Sequence, residues 1–294
     1  FFYLFLFMKK SIGTILGSLI FILIILAVFS SIILINNQMF NLFSNQITML
    51  NFETEKQNEK IEIISSAFDK YFPRKILITT SSSYSGNIFS LLKPFDDNYL
   101  SLNSQPVSPS QKLINVSFIF NEIDIPLTIT EIRISLIFSY DLNSILFQYV
   151  YIFKWSTNSW VLIDSENFNE DIIFSHKIIS VTNDNYIHSN STLKIRIESR
   201  SNDNFKAYFD FISLKIENND LNKTVATYIL NNSPFSSKLV SSVIFNNTLY
   251  KRYDLNITIP SGNIILIKIK TDIINSNIKF ITKLGNIYQS TISN

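Results

Sequence analysis

Residues 12–35 read IGTILGSLIFILIILAVFSSIILI, 24 consecutive residues without a charge. A helix of that length rises about 36 Å, enough to cross a hydrocarbon core of about 30 Å. Lys9 and Lys10 stand just before it, and no further basic residue occurs until Lys56. Short segments carrying Lys and Arg stay on the cytoplasmic side, so this asymmetry puts the N-terminus inside and the rest of the chain outside. The alternative is a cleaved secretory signal, whose apolar core runs about 7–15 residues and ends in small residues of the A-x-A type. Here the core is longer, and Ala27-Val28-Phe29-Ser30-Ser31 stands where a cleavage site would fall. The expectation is a single-pass membrane helix with the lipid bilayer as its partner.

Upstream, Phe1 to Phe7 (FFYLFLF) precede Met8, and Met8-Lys9-Lys10-Ser11 reads as the better start. Residues 1–10 are therefore expected to be a leader or a spurious N-terminal extension. Downstream, no Asp, Glu, Lys, Arg or His occurs from Ser11 to Phe52. As one helix those residues span about 63 Å, twice what a bilayer requires. Apolar residues then keep a three-and-four beat: Phe40, Phe43, Ile47, Leu50, then Ile61, Ile64, Phe68 and Tyr71, with Thr54 and Gln57 on the missing beats. That beat places one stripe on one helical face and suits burial against neighbouring helices. Pro73 is a natural stop. The spacing predicts a transmembrane and stem helix over 11–72, the alternative being a short strand at Ile61–Ile64.

The run Lys9-Lys10-Ser11-Ile12-Gly13-Thr14-Ile15-Leu16-Gly17 and the apolar tract behind it resemble archaeal type IV pilin-like proteins. The resemblance implies a leader removed after basic residues and hydrophobic helices packed into a filament core. Ser11 stands where the family more typically has Gly or Ala, and the early glutamate of bacterial pilins is absent. Gly13-x-x-x-Gly17 is a small-residue pair through which identical subunits can approach closely.

Thr79 to Asn87 (TTSSSYSGN) is small and polar without an apolar period, so 73–94 reads as a linker. Beyond it the patterning changes to period two. Ile132, Ile134, Leu136 and Phe138 alternate with Arg133 and Ser135, and Leu193, Ile195 and Ile197 alternate with Lys194, Arg196 and Glu198. Asn183-Asp184-Asn185 and Ser201-Asn202-Asp203-Asn204 supply turns between such runs. An antiparallel, half-buried sheet system follows. Asp97-Asn98-Tyr99, Ile132 to Tyr140, Tyr151 through Trp155 to Trp160-Val161-Leu162, Leu193 to Glu198 and Tyr208-Phe209-Asp210-Phe211 together resemble the galactose-binding-like jelly-roll family. That resemblance implies a jelly-roll β-sandwich over 95–220. Trp160, opening a strand with Val161 and Leu162, reads as core, the alternative being a sugar-stacking platform. Shorter apolar runs at Val240–Phe245, Leu255–Ile259, Ile264–Ile269 and Ile278–Ile281 predict a second small β-sandwich or Ig-like domain over 221–294, the alternative being further strands of the first domain. The fold class expected is an all-β, antiparallel ectodomain behind a long hydrophobic helix.

Chemistry is sparse. Charged residues are 16% of the chain, against roughly 25% in an ordinary soluble protein. There is no cysteine, which removes disulfides, thiolate metal sites and thiol nucleophiles, and the two histidines, His176 and His188, lie in polar stretches. Setting Lys9 and Lys10 aside leaves 23 basic and 23 acidic residues. A neutral balance without a basic stripe excludes nucleic acid as partner. No nucleotide-binding, hydrolase-elbow or zinc-protease motif is present. No catalytic residue and no cofactor is expected, apart from Ca²⁺ at Asp97 or Asp210, the latter flanked by Phe209 and Phe211. Sequons occur at Asn115, Asn190, Asn222, Asn231, Asn246 and Asn256. These six candidate glycosylation sites are about what chance supplies in a chain with 33 Asn. The reading is a non-enzymatic, membrane-anchored surface protein, pilin-like or serving adhesion or the envelope. The alternatives are a carbohydrate-binding module with surface glycans as partner and, further off, a divergent hydrolase.

Overall fold

The computed structural model describes residues 2–126, 128–182, 184–220 and 222–293, with side chains from Leu16 onward except that of Asp184. It falls into two units, residues 1–58 and 59–294.

The first unit is a single helix, α1 (Phe2–Asn58). Its described apolar side chains from Leu16 to Phe52 are exposed, and consecutive ones such as Leu19, Ile20, Phe21 and Ile22 cover every side of the cylinder. A helix apolar all round needs an apolar surrounding, and this one is long and apolar enough to cross a membrane. Some of its hydroxyls bond back within the helix: Ser31 donates to the Ala27 carbonyl at 2.8 Å and Thr48 to that of Ser44 at 2.8 Å. Such back-bonding lets a hydroxyl sit in a helix with no water at hand. Gly17 has nothing within 4 Å of where a Cβ would lie. Gly13 lies outside the residues whose side chains are described.

In the second unit every pairing between the described strands is antiparallel, and one isolated parallel bridge joins Ala67 to Ser293. In chain order its strands are β1 (Ile61–Phe68), β2 (Lys70–Tyr71), β3 (Lys75–Thr80), β4 (Ser83–Ser85), β5 (Leu100–Asn103), β6 (Gln105–Ser108) and β7 (Gln111–Phe120). They continue as β8 (Ile129–Asp141), β9 (Leu146–Lys154), β10 (Ser159–Phe168), β11 (Ile172–Val181), β12 (Leu193–Ser201) and β13 (Lys206–Asn218). The last six are β14 (Lys223–Asn231), β15 (Ser237–Phe245), β16 (Tyr250–Ile259), β17 (Ile264–Thr271), β18 (Asn277–Thr282) and β19 (Ile287–Thr291). One six-stranded sheet runs β10-β9-β12-β7-β3 with β6 beside β7, and another runs β11-β8-β13-β5-β4 with β2 beside β13. Their inward residues, among them Phe118, Ile134, Phe138, Ile152, Ile197 and Phe209, make one core.

A second core lies between the sheets β1-β14-β17 and β16-β15-β18-β19. Strand β14 ties the two cores together. Val225 and Ile229 point into the second core, while Ala226 and Tyr228 on its other face belong to the first. The sheet is thus buried on both sides, which is why β14 reads as an almost unbroken buried run. The Tyr228 ring packs edge-on against Phe72 at 4.9 Å, and its hydroxyl accepts the Phe72 N–H at 2.9 Å. That pairing satisfies a polar tip that burial would otherwise make costly.

Three sequence expectations change here. The helix ends at Asn58, not at 72, and Ile61–Phe68 is a strand paired with β14 from Ile61↔Asn231 to Phe68↔Val225. A bulge between Ile63 and Ser65 re-aims the strand, so Ile61 and Phe68 face the second core while Ile64 packs on the first. The three-and-four spacing is produced by a bulged strand between two cores, a pattern that periodicity alone cannot separate from a helix. Next, 73–94 is not a linker. β3 pairs with β7 and β4 with β5, and Leu91 and Leu92 are buried. The small polar run is used up in specific bonds: Ser81 Oγ donates to the Asn103 carbonyl at 2.8 Å, and Asn87 caps a short 3-10 turn at Ile88–Leu91. Gly86, at φ +94, passes so close to Tyr99 that a Cβ would meet its carbonyl at 2.6 Å. Finally, the 221–294 region is not a self-contained domain. It takes β1 from upstream and shares β14 with the first core. Of the expected turns, Asn183 lies outside the described residues.

Candidate functional site

Strand alternation sorts β9 into two sets. Val150 and Ile152 are fully buried, so Phe147, Tyr149, Tyr151 and Phe153 face away from the core. On β10, Trp160 lies opposite Phe153 and Leu162 opposite Tyr151, both on that outward face, while Val161 packs inward. On the other side of β9, β12 sends Ile195 and Ile197 into the core and leaves Lys194, Arg196, Glu198 and Arg200 outward. Arg196 stands opposite Tyr151, Glu198 opposite Tyr149 and Arg200 opposite Phe147. The next strand, β7, adds Asn115 opposite Glu198. The outcome is a sheet face on which rings and cations alternate.

The contacts are close. The Arg196 guanidinium lies 4.5 Å from the Tyr151 ring centroid and 4.6 Å from that of Trp160. The Lys194 ammonium is 5.1 Å from Phe153 and 4.6 Å from Trp155. Phe153 meets Trp155 and Trp160 edge-on at 4.8 and 5.1 Å, and His188 packs 4.3 Å from Trp155. Rings so placed attract a cation through their electron-rich faces by roughly 0.5–1 kcal/mol each at an exposed site. Arg200 differs, since its Nε donates to Glu198 Oε1 at 2.6 Å. Burial, with the Glu198 carboxylate adding to it, pushes the Tyr151 hydroxyl above the ordinary phenol range, which keeps it a neutral donor. Three polar atoms here are enclosed without a hydrogen-bond partner: Trp155 Nε1, Arg196 Nε and Asn115 Oδ1.

Trp160 is therefore not a core residue. It is half-buried on an outward face. Nor is His188 a bare surface residue, since it supports Trp155 and its Nδ1 accepts the Asn190 N–H at 3.2 Å. Lys194 and Arg196 were marked by the sequence only as the polar half of a strand, and Arg200, Tyr149 and Phe153 were not marked at all. The signal for the rings was the run Tyr149–Trp155 (YVYIFKW), whose alternate positions are all aromatic.

The carboxylates are arranged differently from a cation site. Asp210 is buried, and its Oδ2 accepts the Phe95 N–H at 2.6 Å. Burial raises its pKa, the nearby Asp96 and Asp97 raise it further, and the Phe95 bond partly opposes them. Asp97 sits in the left-handed region at φ +62. Among the described residues no three His, Asp or Glu side chains are grouped to hold a metal ion. A cleft of about 470 Å³ gathers Asp69, Asp124, Asn218 and Lys270 where the two cores meet. Its carboxylates are committed to the fold: Asp69 accepts from Asn218 Nδ2 at 3.0 Å and from the Thr224 N–H at 3.1 Å. Asp124 accepts from Thr224 Oγ1 at 2.9 Å and pairs with Lys268 at 2.7 Å.

The sequons are unequal. Asn190, Asn222 and Asn256 are exposed, and Asn246 and Asn115 are half-buried. Asn231 is fully buried, with its Nδ2 donating to the Phe235 and Ile259 carbonyls at 2.9 and 2.8 Å. The fold removes Asn231 from the candidate glycosylation sites, because its amide is spent on closing the turn after β14.

No family model and no curated protein matches the chain. Among solved structures it is similar to TmCBM61 in complex with beta-1,4-galactotriose, with 9% identity, 49% of this chain and 90% of that chain covered, and a TM-score of 0.32. It is also similar to CBM28, a non-crystalline cellulose specific carbohydrate-binding module, with 11% identity, 51% and 87% covered, and a TM-score of 0.29. The glycoside hydrolase domain of Endo-D from Streptococcus pneumoniae R6 aligns with 7% identity, 80% of this chain and 43% of that chain covered, and a TM-score of 0.30.

Proposed function

We propose that the protein is a non-enzymatic surface protein, anchored in the bilayer by α1, that binds glycans on the outward face of the β10-β9-β12-β7-β3 sheet. The observation that carries the reading is the row of outward rings, Tyr149, Tyr151 and Phe153 along β9 with Trp155 and Trp160 at its end. A sugar ring presents an apolar face of C–H groups edged by hydroxyls, and it is met by amphipathic aromatic bodies with polar groups alongside. Here the polar groups are Glu198, Asn115 and the cations of β12. The anchor rests on the uncharged stretch Ser11–Phe52 and on Lys9 and Lys10 before it, which orient the N-terminus to the cytoplasm and the β-rich unit outside. Identical subunits associating through Gly13 and Gly17, as in a pilin-like filament, belong to the same reading. So does adhesion as the role of the bound glycan.

The test is a glycan array probed with the full chain in nanodiscs, followed by Trp fluorescence. Binding with sugar-dependent quenching is the expected result. An array on which no glycan is retained, with intact folded protein, overturns the reading.

A further inference from the structure

The same sheet face carries a charge pattern that narrows its ligand, an inference that rests on the glycan-binding reading above. Three cations on the outward face of β12, Lys194, Arg196 and Arg200, share that face of the strand with one carboxylate, Glu198. Glu198 is bound to Arg200. Among the described residues Lys194 and Arg196 form no ion pair, and their cationic heads lie between rings, Phe153 and Trp155 for the one, Tyr151 and Trp160 for the other. Arg196 Nε is enclosed without an acceptor. A guanidinium held against aromatic walls has lost part of its hydration, and its planar fork of N–H groups matches a carboxylate in two parallel bonds. Some cations elsewhere on this unit are paired, as Lys177 is with Asp164 and Glu166 and Lys268 with Asp124, and others stack singly on rings, as Lys279 does on Phe245 at 4.7 Å; what marks the β12 face is two such cations side by side on one strand, each between two rings.

We propose that this face takes an acidic polysaccharide, with sugar rings against the aromatic residues and uronate carboxylates reaching Arg196 and Lys194. Side chains two apart on a strand are spaced by about 7 Å, so the cations of β12 form a line along which a linear polyanion lies. Association is electrostatically steered and weakens as salt shortens the screening length.

The experiment uses the full chain in zwitterionic nanodiscs, with polygalacturonate, alginate and hyaluronan as acidic probes. Fully methyl-esterified polygalacturonate is the uncharged twin of the first, and poly(dT) the competing polyanion. Binding to at least one acidic probe is expected, weakening with salt, with esterification abolishing the polygalacturonate interaction. Arg196→Gln is expected to cut acidic-probe affinity about tenfold or more, and Lys194→Gln less. Esterification and salt act on the unaltered protein, so they decide the question even if a variant folds poorly. Equal binding to the esterified polymer, or binding confined to neutral glycans, overturns this inference and leaves glycan binding standing. Tighter binding of poly(dT) overturns it in favour of single-stranded nucleic acid, and retention of no glycan at all overturns both readings.

Discussion

The two outward faces of the first sandwich are built from the same strand pattern and differ in how their cations are partnered. On the β11-β8-β13-β5-β4 sheet, Glu131, Arg133, Glu217 and Lys215 close on one another: Arg133 lies 2.7 Å from Glu131 and 3.5 Å from Glu217, which Lys215 meets at 2.8 Å. Two cations meet two carboxylates, and His176 beside them bonds Ser135 at 2.7 Å. On the β10-β9-β12-β7-β3 sheet the cations stand between rings and two of the three lack a carboxylate. On the first face these charges are paired with one another, while Ile178 is exposed and Tyr99, Phe174 and Tyr208 form a separate ring cluster with no cation over it among the described residues. The second leaves hydrogen-bonding capacity and half-covered rings unspent, which is the feature the proposed glycan site uses.

That contrast can be broken from beneath. Phe118 is fully buried on β7, in the core that supports both faces, and its ring meets Phe209 of the other sheet at 5.7 Å. Phe118→Ala is expected to cost about 3–5 kcal/mol, read from urea unfolding, and to loosen both faces together; a loss under about 1 kcal/mol would mean the core is not shared as described. On the ring face alone, Trp160→Ala is expected to reduce glycan affinity by about 2 kcal/mol, roughly 30-fold, with a much smaller change in stability. Unaltered affinity in titration calorimetry would move the site elsewhere. On the paired face, Arg133→Gln is expected to leave glycan affinity unchanged and to shift stability by no more than about 1 kcal/mol, since its ion pairs are largely exposed. A comparable affinity loss in this variant would erase the distinction between the faces.

The smallest effect concerns pH. The folded pKa of Asp210 is raised above its ordinary 3.8, chiefly by burial. A raised value means the folded state holds the proton more tightly, so the associated stability is fully present below the unfolded pKa and is lost as pH rises through the folded one. Relative to Asp210→Asn, the unaltered protein is expected to lose roughly 1–3 °C in Tm between about pH 3.5 and pH 7. Parallel Tm profiles for the two proteins would remove Asp210 from the titrating set.

The strands at Ile132–Phe138 and Leu193–Glu198 were legible because apolar and polar residues alternate there, so only one face can be inside. Trp160 was not legible. Around it Trp160 and Leu162 alternate with Val161 and Ile163, so both sets are apolar and alternation cannot tell which one faces the core. Pairing with β9 decides it, by setting Trp160 opposite Phe153. The line of Lys194, Arg196 and Arg200 was visible as the polar half of a strand, but its neighbours were not, since Tyr151 and Trp160 come from two other strands.

By itself the sequence determined the long uncharged helix, the antiparallel β class that follows it and the absence of thiol chemistry, because these depend on composition and on local periodicity within one segment. Only the tertiary structure decided that Ile61–Phe68 is a strand, that residues 75–85 complete the first sandwich and that β14 serves two cores. Likewise, only pairing across strands set the rings beside unpaired cations. The reason is physical: strand identity and face selection are fixed by partners far away in the chain, and the free energy that chooses them is released when those partners meet.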